Sequence, residues 1–131
     1  MDWSDAEAPT IGDIERLAER AMRTIPEGLR RHVKDVVIAV DEFPDEETER
    51  EMELESPFDL LGLYRGVSLT RKSIHDVPQD VDMIHLYRRP LLDYWSETRV
   101  GLYDLVRNTL IHEIGHHFGF SDDDMDRLEG A

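Results

Sequence analysis

Apolar residues Ile11, Ile14, Leu17, Ala18, Ala21 and Ile25 recur at three- and four-residue intervals behind Thr10. That is the spacing of one helix face with a hydroxyl at its N-cap. Pro26 ends or kinks this helix, and residues 26–32 are expected to add a short helical turn. The run Val36-Val37-Ile38-Ala39-Val40 is short, unbroken and mostly β-branched, which predicts a buried strand. Asp45 to Leu54 follows Pro44 and carries two early glutamates, so a helix with an acidic solvent face is expected there. Residues 57–66 mix apolar side chains with two glycines, predicting a loop that enters a strand near Leu61–Arg65. Residues 71–79 read as irregular. Met83 to Arg89 reads as a strand stopped by Pro90, which then opens a short helix through Trp95. Ser96 or Thr98 is expected to start a long C-terminal helix that ends near Phe118, and residues 1–9 read as a flexible arm. The pattern is that of one α+β domain over residues 1–131.

Composition narrows the class. No apolar run approaches the roughly 18 residues of a spanning helix. The acidic N-terminus, Met1-Asp2-Trp3-Ser4-Asp5, lacks the basic and apolar regions of a secretion signal, so a cytoplasmic location is the default expectation. The chain has no cysteine, which excludes disulfides and thiolate metal sites and leaves histidine and carboxylate as the metal-binding repertoire. Thirty acidic against 15 basic side chains give a net charge of −15. Such a surface repels nucleic-acid backbones and anionic membranes, so neither is an expected partner.

Candidate chemistry concentrates in His112-Glu113-Ile114-Gly115-His116-His117-Phe118-Gly119-Phe120-Ser121-Asp122. Two histidines four apart project from one side of a helix, one turn apart. Neutral imidazoles are good zinc ligands, and a site with three protein ligands leaves room for water. Glu113, beside the first histidine, is then the candidate base. On a wheel advancing about 100° per residue, with His112 at zero, His116 lies near 40° and Thr109 near 60°. The apolar Val106, Leu110, Ile111, Ile114 and Phe118 fall between about 120° and 260°. His117, near 140°, falls in the apolar sector and reads as a core or hydrogen-bonded structural histidine. Gly119 can end the helix with positive φ and reverse the chain, giving Asp122 a route back to the histidines. Asp123, Asp124 and Asp126 compete for that role, with the spacing favouring Asp122. Thr109 is a candidate to orient a ligand, though a plain helix-surface threonine is the simpler expectation.

The extended motif H-E-x-x-H-x-x-G-x-x-D resembles that of zincin metallopeptidases, specifically the metzincin branch with aspartate replacing the third histidine. Together with Leu60-Leu61-Gly62-Leu63-Tyr64-Arg65-Gly66 and Ile84-His85-Leu86-Tyr87-Arg88-Arg89-Pro90, it is similar to the small single-domain zincin-like metallopeptidases of bacteria. The likeness covers about residues 35–126. It implies a small mixed sheet packed on the active-site helix, zinc on His112, His116 and Asp122, and Glu113 as general base in peptide-bond hydrolysis. The partner it implies is a peptide or protein substrate. It also implies an edge strand beside the cleft that binds extended peptide, a role that falls to residues 83–88 if they are not a core strand. Two departures stand out. Only nine residues follow Asp122, so Met125 can at best stand in for the metzincin methionine turn and reads as core packing. No tyrosine or histidine follows Asp122 to stabilise an oxyanion, which leaves Tyr64, Tyr87, His85, Arg88 or Tyr103 as candidates. These departures keep an alternative open: a catalytically weak or inactive zinc-binding regulatory or interaction module on the same scaffold. A metal-dependent amidase acting on non-peptide substrates is the third expectation.

Overall fold

The computed structural model describes residues 6–33, 35–66 and 81–129. Helix α1, Ile11–Met22, starts at Thr10, whose hydroxyl accepts from the Asp13 amide at 3.0 Å while Asp13 accepts from the Thr10 amide at 2.8 Å. This reciprocal capping box satisfies two amides that the first helical turn leaves without intrahelical partners. The short α2, Glu27–Arg30, follows Pro26. Strand β1, Val36–Asp41, leads to α3, Glu46–Glu51, capped by the Asp45 side chain on the Thr48 amide. A 3-10 turn at Pro57–Asp59 precedes β2, Gly62–Arg65. Then come β3, Asp82–Tyr87, α4, Arg88–Glu97, α5, Leu102–His117, and α6, Asp122–Glu129. The irregular stretch expected at residues 71–79 lies outside the described residues.

The sheet runs β1-β3-β2, with β3 parallel to β1 and antiparallel to β2. It is therefore a small mixed sheet in an α+β fold. Because successive strand residues face opposite sides, Ile84 and Leu86 of β3 turn to one face and are fully buried. On that face lie α1, through Ile14, Ala18 and Ala21, and α5, through Val106, Leu110, Ile111 and Ile114. Ile25, Leu29 and Leu91 complete the core. The other face carries His85, Tyr87 and Arg65, whose guanidinium donates to Thr48 at 2.9 Å and to Glu51 at 3.1 Å. Burial pushes the Tyr87 phenol up to about 12. No helix among the described residues is long and apolar enough to cross a membrane.

Two expectations are corrected. β3 is the middle strand, bonded on both sides, so residues 83–88 offer no free sheet edge; β2 is an edge strand and packs beside α5. The long helix starts at Leu102 after Gly101, because Ser96 lies within α4 and Thr98 ends it. Beyond Gly119 the chain is helical again from Asp122.

Candidate metal centre

The site is assembled by how α5 ends and α6 begins. Gly119 has φ +84°. The Phe120 amide donates to the Gly115 carbonyl at 2.8 Å, and the Gly119 amide to the His116 carbonyl at 3.2 Å. This is the paired bonding of a Schellman motif, which satisfies the last carbonyls of α5 and turns the chain back. Ser121 then caps α6: its hydroxyl accepts from the Asp124 amide at 3.1 Å, and Asp124 accepts from the Ser121 amide at 3.0 Å. Those bonds hold the Asp124 carboxyl below its usual range and engage it in the cap, beside Arg127. Asp122 opens the helix one residue after the cap and faces the histidines.

Asp122 Oδ1 lies 3.3 Å from His116 Nε2 and 3.6 Å from His112 Nδ1. One ligand atom from each of the three residues falls within a 4.8 Å cluster. Tetrahedral zinc with bonds of about 2.0–2.1 Å places its ligand atoms roughly 3.3 Å apart. The donor set, two imidazoles and one carboxylate, suits zinc in a chain without thiols. The three side chains are 45%, 56% and 74% exposed for His112, His116 and Asp122, so the cluster opens to solvent.

Glu113 is half-buried beside this centre. Burial raises its carboxyl above the ordinary glutamate range, while the Tyr64 backbone N–H and the nearby His116 pull it partly back. The strand register explains the N–H. Tyr87 donates its amide to the Leu61 carbonyl at 3.0 Å, and Gly62 pairs with Leu86, Leu63 with His85. In an antiparallel ladder the bonded pairs alternate, so Leu63 and Arg65 bond to β3, whereas Gly62 and Tyr64 turn their amides and carbonyls to the free edge. Tyr64 thereby faces Glu113. No periodicity in the sequence reports this, because it depends on which residues of β2 are in bonded register.

His117 is absent from the cluster, as its wheel position suggested, but it is not a core residue. It is exposed and stacks on the Tyr64 ring, with centroids 4.0 Å apart. Thr109 is buried and its hydroxyl donates to the Leu105 carbonyl at 2.8 Å. That bond uses the hydroxyl proton within the helix, and the burial of Thr109 corrects the surface reading. Leu105 and Thr109 share the metal-side stripe of the wheel yet are buried, because the first turns of α5 run under the sheet edge before the histidines emerge. The oxyanion candidates are engaged elsewhere. Tyr64 donates its hydroxyl to Asp82 at 2.5 Å, and His85 lies 3.7 Å from Asp41. Arg88 binds Glu42 and the Pro9 carbonyl, Tyr103 lies beside Arg20 and Thr24, and Tyr87 is buried. Of the other histidines, His32 packs against Phe118 and Phe120, and His75 lies outside the described residues. Met125 is buried, its side chain filling the notch left by Gly115, which lies between His112 and His116 in α5.

Two histidines and a carboxylate clustered beside a half-buried glutamate, on a small mixed sheet, form a candidate metal centre. The chain belongs to the zincin-like metallopeptidase family, whose model matches residues 33–131. Among solved structures it resembles a conserved hypothetical protein from Thermo thermophilus, at 23% identity and a TM-score of 0.53. That likeness spans 92% of this chain and 98% of the other and concerns the fold alone. A search of the curated proteins finds no match.

Proposed function

We propose that the protein is a zinc-dependent peptidase in which His112, His116 and Asp122 hold the metal and Glu113 is the general base. The observation that carries this reading is the convergence of the three ligand atoms beside a half-buried Glu113. Zinc in such a site acts as a Lewis acid, acidifying water and polarising a carbonyl. Glu113 takes the proton of the attacking water and passes it to the leaving amine. Partial burial suits that task, because a carboxyl raised above the ordinary glutamate range is the stronger proton acceptor. The outer edge of β2 offers the Gly62 main-chain groups and the Tyr64 carbonyl to an extended peptide, the Tyr64 amide already donating to Glu113.

Glu113→Gln is expected to keep fold and zinc and to lose hydrolysis by at least about a hundredfold, the usual scale of general-base catalysis. His116→Ala should instead lose zinc, read by elemental analysis. Wild-type turnover in Glu113→Gln would overturn the mechanism. A zinc-loaded wild type that cleaves nothing across a broad peptide library would replace the peptidase with a zinc-binding module.

A further inference from the structure

Helix α5 grips Tyr64 at two points one turn apart. The Tyr64 main-chain N–H donates to the Glu113 carboxylate, and its ring stacks on His117, with 4.0 Å between centroids and 21° between planes. Glu113 and His117 are four residues apart, which sets them one above the other on the same side of the helix. The rest of the Tyr64 side chain is equally fixed. Its hydroxyl donates to Asp82 at 2.5 Å, the Phe118 ring meets it edge-on at 5.7 Å, and the residue is 7% exposed. His117 itself is exposed and stands outside the metal cluster. A Cβ built on Gly66 would fall 2.8 Å from its Cε1 and 2.9 Å from its Nε2, so the bare backbone of Gly66 is what lets the imidazole lie against Tyr64.

We infer that His117 and Tyr64 are positioning residues for Glu113: their stack holds the Tyr64 main chain so that its N–H fixes one oxygen of the base and leaves the other for the proton of the attacking water. The inference rests on the peptidase reading above and adds to it the residues that aim the base. The Tyr64 N–H is free for this because it points away from β3, the ladder bonds of β2 being made by Leu63 and Arg65. A hydrogen bond to an ionised carboxylate is roughly twice as strong as one between neutral groups, and it removes rotamer freedom that an unheld glutamate keeps. That hold lasts only while β2 keeps its distance from α5. An edge strand of four residues, β2 is bonded on one side only among the described residues, and the stack ties it to α5 beside the base.

Amide hydrogen exchange on the full-length metal-free protein, followed by NMR, reads the clamp without any turnover. Gly62 and Tyr64 both turn their amides to the outer edge, yet Tyr64 should be protected at least about tenfold more than Gly62, the worth of a bond to a charged group. Glu113→Ala should abolish the difference. His117→Ala should lower Tyr64 protection by roughly two- to tenfold, the worth of an aromatic pair, and His117→Phe, which keeps a ring, should restore it. Gly66→Ala displaces the imidazole from the other side without altering α5 and should repeat the loss. In zinc-loaded protein, His117→Ala and Gly66→Ala should lower kcat several-fold with KM and zinc affinity unchanged, and neither should lower the residual rate further in a Glu113→Gln background. Equal protection of Tyr64 and Gly62, protection or kcat unmoved in both variants, or a loss that persists in the Glu113→Gln background overturns the positioning role while leaving Glu113 as the base. A zinc-loaded wild type that hydrolyses no peptide overturns the peptidase reading and this role with it.

Discussion

Replacing Gly115 with alanine probes the seam that brings the two parts of the metal centre together. A Cβ built on Gly115 falls onto Met125 Sδ and 3.0 Å from its Cγ. Met125 is 1% exposed, so its side chain has no solvent to swing into and α6 must move away from α5. Forcing an extra carbon into a packed core costs about 1–3 kcal/mol, and with the new carbon placed on the Met125 sulfur the cost falls in the upper part of that range, about 2–3 kcal/mol. Exchanging glycine for alanine inside a helix returns roughly 1 kcal/mol of that. The net is a destabilisation of about 1–2 kcal/mol, or a fall in Tm of roughly 3–10 °C for a chain of this length. Asp122 opens the helix that is displaced, so zinc affinity should fall as well, by about 5–30-fold if the whole cost is borne by the metal-bound geometry. Urea unfolding of the metal-free protein followed by circular dichroism gives the first quantity, and competition with a chromophoric chelator the second. Met125→Ala alone should cost about 2–5 kcal/mol. Combined with Gly115→Ala it should cost less than the sum by about 1–3 kcal/mol, since the new methyl fills part of the cavity. A Gly115→Ala protein as stable as wild type, with unchanged zinc affinity, would refute the reasoning.

Two further outcomes follow from the caps. At Gly119 nothing lies within 4 Å of an added Cβ, so Gly119→Ala isolates backbone strain: about 1–2 kcal/mol and weakened zinc binding, with Gly119→Asn recovering part of both in the same assays. Full stability in Gly119→Ala would mean that the turn relaxes without cost. Asp45 is held below the usual carboxylate range by the Thr48 amide, so the unfolded chain binds its proton more tightly than the folded one. Its contribution is therefore complete above the ordinary pKa of about 3.9 and is lost as pH falls through and below it. Asp45→Asn retains a capping oxygen but not the charge. Its urea midpoint should lie below that of wild type near pH ~6 and meet it near pH ~2; a gap constant over that range contradicts the assignment.

The clustering of the candidate metal-binding side chains was legible along the chain because it is local. His112, Glu113 and His116 occupy one helix, where a fixed rise and turn convert spacing into direction, and Gly119 marks the reversal that carries Asp122 back. The elements around them were legible for the same reason: the capping box at Thr10, the β-branched run of β1 and the apolar stripe of α1 are short-range signals. Helix α6 was also written locally, as Ser121 followed three residues later by Asp124, a capping signature easily taken for an acidic tail. Long-range features were not legible. Whether β2 or β3 lies at the edge depends on pairing between segments some twenty residues apart, and two strands of similar apolar content read alike. The outward turn of Tyr64 toward Glu113 and its stack with His117 exist only once α5 and β2 are packed. Spacing along one helix settles which residues point together, but burial and register are properties of surfaces in contact, and no single segment carries them.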